Sequence, residues 1–192
     1  MERSYISELK AGESVVLKGW IYEIRSMAKM AFLLLRDSSG FVQCIAKDEK
    51  IVKEIAGLTL ESVVEIRGKI KKAEVKAELA RKDVEVEVEK LVVLNKAENL
   101  PIHVNEKTVV SELPLKLDWR TLSLRTPRSR AIFKVQAKII EGVQEYLNKN
   151  GFLQVFTPCL MWIASESGSE LFEVKYFNQK AYLRQDPQLH RQ

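Results

Sequence analysis

Cysteine is scarce. The 192 residues hold two, Cys44 and Cys159, too few and too far apart for a disulfide framework, a redox pair or a four-ligand zinc site. Both read as buried, reduced thiols, and no metal ligands are assigned. Glycine and proline number 8 and 5, which excludes collagen-like and low-complexity chains. No apolar run approaches the roughly 20 residues of a membrane span. The first residues, MERSYISELKAGE, mix charge and polarity with neither a secretory signal nor an Arg/Ser-rich transit peptide, so the expected compartment is the cytosol, with no membrane partner. No Walker-type phosphate loop occurs. What is present, 46% hydrophobic and 30% charged residues, is the composition of a folded chain long enough for one or two domains.

The net charge of +5 is modest, but the cations are grouped. Arg67, Lys69, Lys71, Lys72, Lys76, Arg81 and Lys82 form one cluster, diluted by Glu74 and Glu78. Arg120, Arg125, Arg128, Arg130, Lys134 and Lys138 form a second with no acid between them. Two readings fit: solvated surface, or a face for a polyanion such as nucleic acid.

Residues 15–25, VVLKGWIYEIR, alternate with period two, placing Trp20, Tyr22 and Ile24 on one side and Glu23 and Arg25 on the other. AFLLLR at 31–36 and FVQCIA at 41–46 flank the turn Asp37-Ser38-Ser39-Gly40 and read as a hairpin. A short helix from Lys50 follows, then strands at 62–70 and 84–94. Three strands, a helix and two strands, with a basic loop between the last two, is the order of a five-stranded OB barrel, whose common use is single-stranded nucleic acid binding. Periodicity lapses from Asn95 to Thr126, which reads as a linker. After Pro127 the spacing of Ile132, Val135, Ile139, Val143 and Leu147 predicts one apolar helix face, stopped at Asn150-Gly151. FLQVFTPCL reads as a buried strand interrupted by Pro158, KAYLRQ as another strand, and residues 165–169 as a loop between them. The expected fold class is α+β, divided as a barrel over 1–97, a hinge over 98–130 and a second domain over 131–192. The part from the helix onward is too short for an ordinary catalytic core.

Five segments in this order resemble aspartyl-tRNA synthetases of the archaeal and eukaryotic type, class IIb enzymes: GWIYEIRSMAKMAFLLLRDSSGFVQCIA, LDWRTLSLRTPRSRAIF, GFLQVFTPCL (motif 1), ESGSELFEVKYF and AYLRQDPQLHRQ. The resemblance implies an OB-fold anticodon-binding domain followed by the N-terminal part of a class II antiparallel catalytic domain, C-terminally truncated. It implies that Phe32 stacks on the middle uridine of an anticodon, that Gln43 reads that base's edge, and that Arg25 and Glu85 also contact the anticodon. A flat ring gives stacking, and an amide both donates and accepts. Each has a plain alternative: Phe32 as core aromatic, Gln43 as exposed strand polar, Glu85 as one of the alternating acids Glu85, Glu87 and Glu89 of a solvated face.

In the second domain the resemblance places Glu166 at the amino acid's ammonium, Gln188 in its pocket and Arg191 where the family usually has a lysine for the side-chain carboxylate. Arginine is planar and bidentate, so that exchange is not conservative; the plain alternative for Arg191 is a frayed terminal residue. Ser167 stands for a loop glycine, and Asp186 for a small serine, adding negative charge beside the pocket. The helix and motif 1 strand imply a homodimer interface. The family uses ATP and Mg, but the F-R-x-E and G-x-G-x-x-R segments that hold ATP are absent, no catalytic residue is assigned, and the expectation is that this chain alone does not aminoacylate. Three functions stay open: an aspartate–tRNA ligase or piece of one, with tRNA for aspartate as partner; a non-catalytic tRNA-binding paralogue that dimerises or docks on a full-length synthetase; and a general single-strand binder. An asparagine–tRNA ligase relative would read the same middle uridine.

Overall fold

Alternating apolar residues build the first unit. The computed structural model describes residues 2–105, 111–162 and 171–191, and the chain divides into compact units at 1–133 and 134–192. In the first, β1 (Ser14–Met27), β2 (Met30–Arg36), β3 (Phe41–Ala46), β4 (Val63–Lys72) and β5 (Val84–Asn95) close into a barrel in the order β1-β2-β3-β5-β4. All neighbours are antiparallel except β3 and β5. Leu17, Leu33, Leu35, Val42, Ile66 and Val86 point inward and are fully buried. Helix α1 (Glu49–Ala56) is capped by Asp48, whose carboxylate accepts from the Lys50 and Ile51 amides at 2.9 and 3.1 Å. Its Ile55 adds to the barrel core. At Gly68 the β4 register shifts, and a Cβ would collide with the carbonyl oxygen of Glu87; only glycine permits this approach.

The expected strands are present, but β1 does not alternate throughout. Its pairing with β2 shifts between Ile21 and Glu23. Ile21 is fully buried in the barrel, Tyr22 is buried in a second cluster outside it, and Ile24 packs back against the barrel core. The bulge therefore separates Tyr22 from Ile24, which strict alternation had placed on one side.

The stretch read as a linker is exposed at more than half of its described residues, yet it carries a few buried side chains. Ile102 and Val104 are buried, and α2 (Leu113–Asp118) and α3 (Arg120–Ser123) follow. Thr126 then caps α4 (Pro127–Lys149), its hydroxyl accepting from the Ser129 amide at 3.2 Å with proline in the first helical position. The expected apolar face of α4 exists as a pattern, but Ile132, Val135, Ile139 and Val143 are all exposed.

In the second unit β6 (Leu160–Met161), β7 (Glu173–Tyr176) and β8 (Gln179–Leu183) pair antiparallel in the order β6-β8-β7. The buried strand expected over 152–160 is not formed: residues 152–158 have no regular structure, and Phe152, Leu153, Val155 and Phe156 are exposed. Among the described residues no neighbouring strand pairs with their backbone, so apolar sequence alone does not make them a strand. Cys44 is buried as expected, and burial raises its thiol pKa. Cys159 is exposed, against expectation. No helix is long and apolar enough to cross a membrane among the described residues.

Candidate nucleic-acid interface

Because successive strand residues face opposite sides, filling the barrel from Leu33, Val42, Cys44 and Val86 turns Phe32, Gln43 and Glu85 outward. Register then assembles them. One row across the outer face runs Glu23, Leu34, Gln43, Glu85, Lys71, and the next runs Arg25, Phe32, Ile45, Glu87, Lys69. All four barrel residues singled out in the sequence thus lie in two adjacent rows, and the β1 bulge is what keeps Glu23 and Arg25 on this face.

Arg25, Phe32 and Gln43 line one cleft of about 160 Å³, completed by Glu23, Met27, Leu34 and Ala77. Phe32 and Gln43 are half-buried at its surface. Gln43 Nε2 donates to Glu85 Oε2 at 3.3 Å. A carboxylate only accepts, so the amide nitrogen is the end turned to Glu85, leaving Oε1 and one N–H for a ligand. Arg25 Nε donates to Glu23 Oε1 at 2.8 Å, with Arg25 itself exposed. An apolar ring, an amide with both functions and a cation in one cleft suit an unstacked base and its phosphate.

The sequence did not mark Leu34, Met27 or Ala77. Leu34 could have been found as the residue two beyond Phe32 on the same face; Ala77 comes from the loop between β4 and β5 and carries no signal of its own.

The basic clusters divide by partner. Glu87 holds both Lys47 and Lys71, the former at 2.7 Å, and these bonds lower its carboxyl pKa from 4.5 to about 2. A depressed carboxyl stabilises the fold above its unfolded value and loses that contribution as pH falls through its folded one. Replacing Glu87 by glutamine is therefore expected to lower the melting temperature slightly at neutral pH, with the difference shrinking between about pH 4.5 and 2. A difference independent of pH in thermal unfolding by circular dichroism would contradict this.

Arg81 is occupied internally, donating to the carbonyls of Ile6 and Leu9 at 3.1 and 3.0 Å and pairing with Asp83. Arg125 lies 2.8 Å from Glu61 Oε2 without the alignment of a hydrogen bond, and its guanidinium sits 4.9 Å above Trp20. Lys69, Lys72, Lys76 and Arg128 are exposed and have no acidic partner among the described residues.

Of the second-unit residues, Glu166 lies outside the described residues. Gln188 opens α5 (Gln188–Arg191), its amide donating to Asp186 Oδ1 at 2.8 Å. Arg191 ends that helix, with its side chain outside the described atoms. Arg184 donates to the Thr157 hydroxyl and to the Pro158 carbonyl at 2.8 Å. No three His, Cys, Asp or Glu side chains gather to hold a metal among the described residues.

Residues 15–94 match the OB-fold nucleic acid binding domain and residues 112–192 the class II tRNA synthetases (D, K and N). An aspartate–tRNA(Asp/Asn) ligase of Archaeoglobus fulgidus is 37% identical over 99% of this chain and 45% of its own length. An aspartate–tRNA(Asp) ligase of Pyrobaculum aerophilum is 36% identical over 94% and 42%. Among solved structures, asparaginyl-tRNA synthetase from Pyrococcus horikoshii complexed with asparaginyl-adenylate superposes with a TM-score of 0.85 at 36% identity, covering 99% of this chain and 44% of that one. Aspartyl-tRNA synthetase from Entamoeba histolytica gives 0.72 at 25% identity, over 87% and 41%. The chain spans less than half the length of these relatives.

Proposed function

We propose that this chain, which carries an OB-fold domain and class II tRNA synthetase sequence and is a homologue of the aspartate–tRNA(Asp/Asn) ligases, reads a tRNA anticodon with a middle uridine on the outer face of its barrel. The observation that carries this is the single cleft holding Arg25, Phe32 and Gln43. Phe32 stacks on the base. Gln43, its nitrogen turned to Glu85, accepts from the uracil N–H through Oε1 and donates its second N–H to a uracil carbonyl. Arg25 meets a neighbouring phosphate. In this reading 1–97 is the anticodon-binding domain, 98–130 the hinge and 131–192 the beginning of the catalytic domain.

Attachment of aspartate to tRNA is the proposed activity of the protein this sequence represents, with Glu166, Gln188 and Arg191 at the amino acid. The exposed apolar residues of α4 are proposed to meet a second copy of the chain. Class II tRNA synthetases use ATP and Mg in general, and the described residues do not fit that pair. No acidic metal cluster is present among them, and the Arg184 guanidinium is already bonded to Thr157 and Pro158.

The test is binding of an anticodon stem–loop RNA at fixed salt, comparing GUC with the same loop altered at the middle base. The expected result is weaker binding of the altered loop by about 1–3 kcal/mol, the scale of one lost base-edge contact. Equal affinity would leave only sequence-independent electrostatics and contradict the reading.

A further inference from the structure

Outside the barrel lies a second apolar cluster that the base-binding residues do not account for. Tyr22, Leu34, Val75, Ala80 and Val104 are buried together, with Phe41, Ala77, Leu100 and Leu122 packed against them. Two members, Leu34 and Ala77, are also walls of the base cleft. Leu122 belongs to α3, far along the chain from either. The same few side chains thus form the floor of the cleft and the seat of the segment leading to α4.

An ionic latch closes the edge of this cluster. Arg36 follows Leu34 on the outward face of β2 and is 4% exposed; its Nη2 lies 2.8 Å from both carboxylate oxygens of Glu61. Its Nη1 donates to the Arg125 carbonyl at 3.1 Å, and its guanidinium is 5.9 Å from the Tyr22 ring. Glu61 in turn neutralises Arg125. The segment around 122–125 is therefore fastened twice, by Leu122 in the apolar cluster and by Arg125 in the latch. The loop bearing Ala77 stands on Val75 and Ala80 of the same cluster, and Lys82 Nζ donates to the Ala77 carbonyl at 2.6 Å.

We propose that Leu122 and Arg125 are positioning residues for base recognition: they touch no base, and they hold the cluster from which the cleft walls Leu34 and Ala77 are set against Phe32 and Gln43. Close-packed interiors pass on the displacement caused by a missing side chain, and a base edge is discriminated only while its partner groups keep their geometry. The inference rests on the anticodon reading above, with which it shares the cleft.

The experiment measures the ratio of affinities for the GUC stem–loop and the middle-base variant loop in the full chain. Leu122→Ala and Arg125→Ala are each expected to reduce that ratio about 2- to 30-fold. Arg128→Ala removes the same charge from an exposed side chain outside the cluster and is expected to weaken both RNAs alike, leaving the ratio intact. Leu122→Val, the smaller deletion, replaces Leu122→Ala if the latter does not fold by circular dichroism. A purely structural role would lower the melting temperature and leave the ratio of the folded protein unchanged, so folded Leu122 and Arg125 variants with the original ratio would overturn the proposal. Loss from Arg128→Ala of the same selectivity would overturn it too. If the unsubstituted chain shows no preference at all, the anticodon reading falls and the positioning role with it. A preference that survives in the variants overturns only the positioning role.

Discussion

Replacing Phe32 by alanine weakens binding of the GUC stem–loop by about 5- to 150-fold, the ~1–3 kcal/mol of one base–aromatic stack. The reason is where the ring stands. Its strand neighbours Ala31 and Leu33 are fully buried and fill the barrel, whereas Phe32 faces outward beside Arg25 and Gln43. Removing it leaves the barrel interior untouched, so the melting temperature should change little while affinity falls. Fluorescence anisotropy with labelled RNA, alongside thermal unfolding, separates the two. Affinity unchanged in a folded variant would mean that no base stacks there. A large loss of stability with affinity reduced only in proportion to unfolded protein would return Phe32 to the role of core aromatic.

Replacing Glu61 by alanine has the largest expected effect on stability, a loss of about 3–5 kcal/mol, because breaking a buried pair leaves an uncompensated charge. Arg36 is the residue that suffers. It is 4% exposed, cannot rehydrate, and burial already lowers its pKa, an effect that Glu61 opposes and the nearby Arg125 and Arg130 reinforce. Arg125 is about one-third exposed at its side chain (32%) and can turn to water. Glu61 also sits at φ +64, in the left-handed region that favours glycine. Glu61→Gly removes the carboxylate and relieves the backbone together, so it should be less destabilising than Glu61→Ala by about 1 kcal/mol. Urea denaturation measures both. Equal stability of Glu61→Ala and the unsubstituted chain would contradict a buried pair that matters to the fold.

The barrel was legible because its signal is local and repetitive. Five strand-like runs and the Asp37–Gly40 turn each state their structure within a few residues, and the strands lie within two residues of their expected bounds. Phe32 and Gln43 came from the quoted barrel segment and Glu85 from the last strand, and the pairing register explains why the three share a face.

What escaped depends on contacts between distant residues. The bulge at Ile21–Glu23 is one residue of slippage that the sequence VVLKGWIYEIR does not announce. Counting cations could not tell Arg81, tied to the carbonyls of Ile6 and Leu9, from exposed Lys76, nor predict that Arg125 would pair with Glu61. Among the described residues, 96–105 have no regular structure and bury only Ile102 and Val104, while 111–126 hold two short helices, so neither period is sustained. The strand expected at 152–160 and the buried Cys159 failed for one reason: an apolar run becomes a buried strand only when neighbours pair with its backbone and cover its side chains, and around 152–158 the described chain supplies neither.

The central claim is that one base of an RNA loop rests on Phe32 against Gln43. Its most direct test is photocrosslinking of a stem–loop RNA that carries 4-thiouridine at the middle anticodon position, followed by mass spectrometry of the adducts. The account predicts adducts on the peptides containing Phe32 and Gln43, suppressed by unlabelled GUC loop and not by the loop altered at its middle base. Adducts confined to the arginine-rich segment over 120–138, or competed equally by both loops, would contradict it.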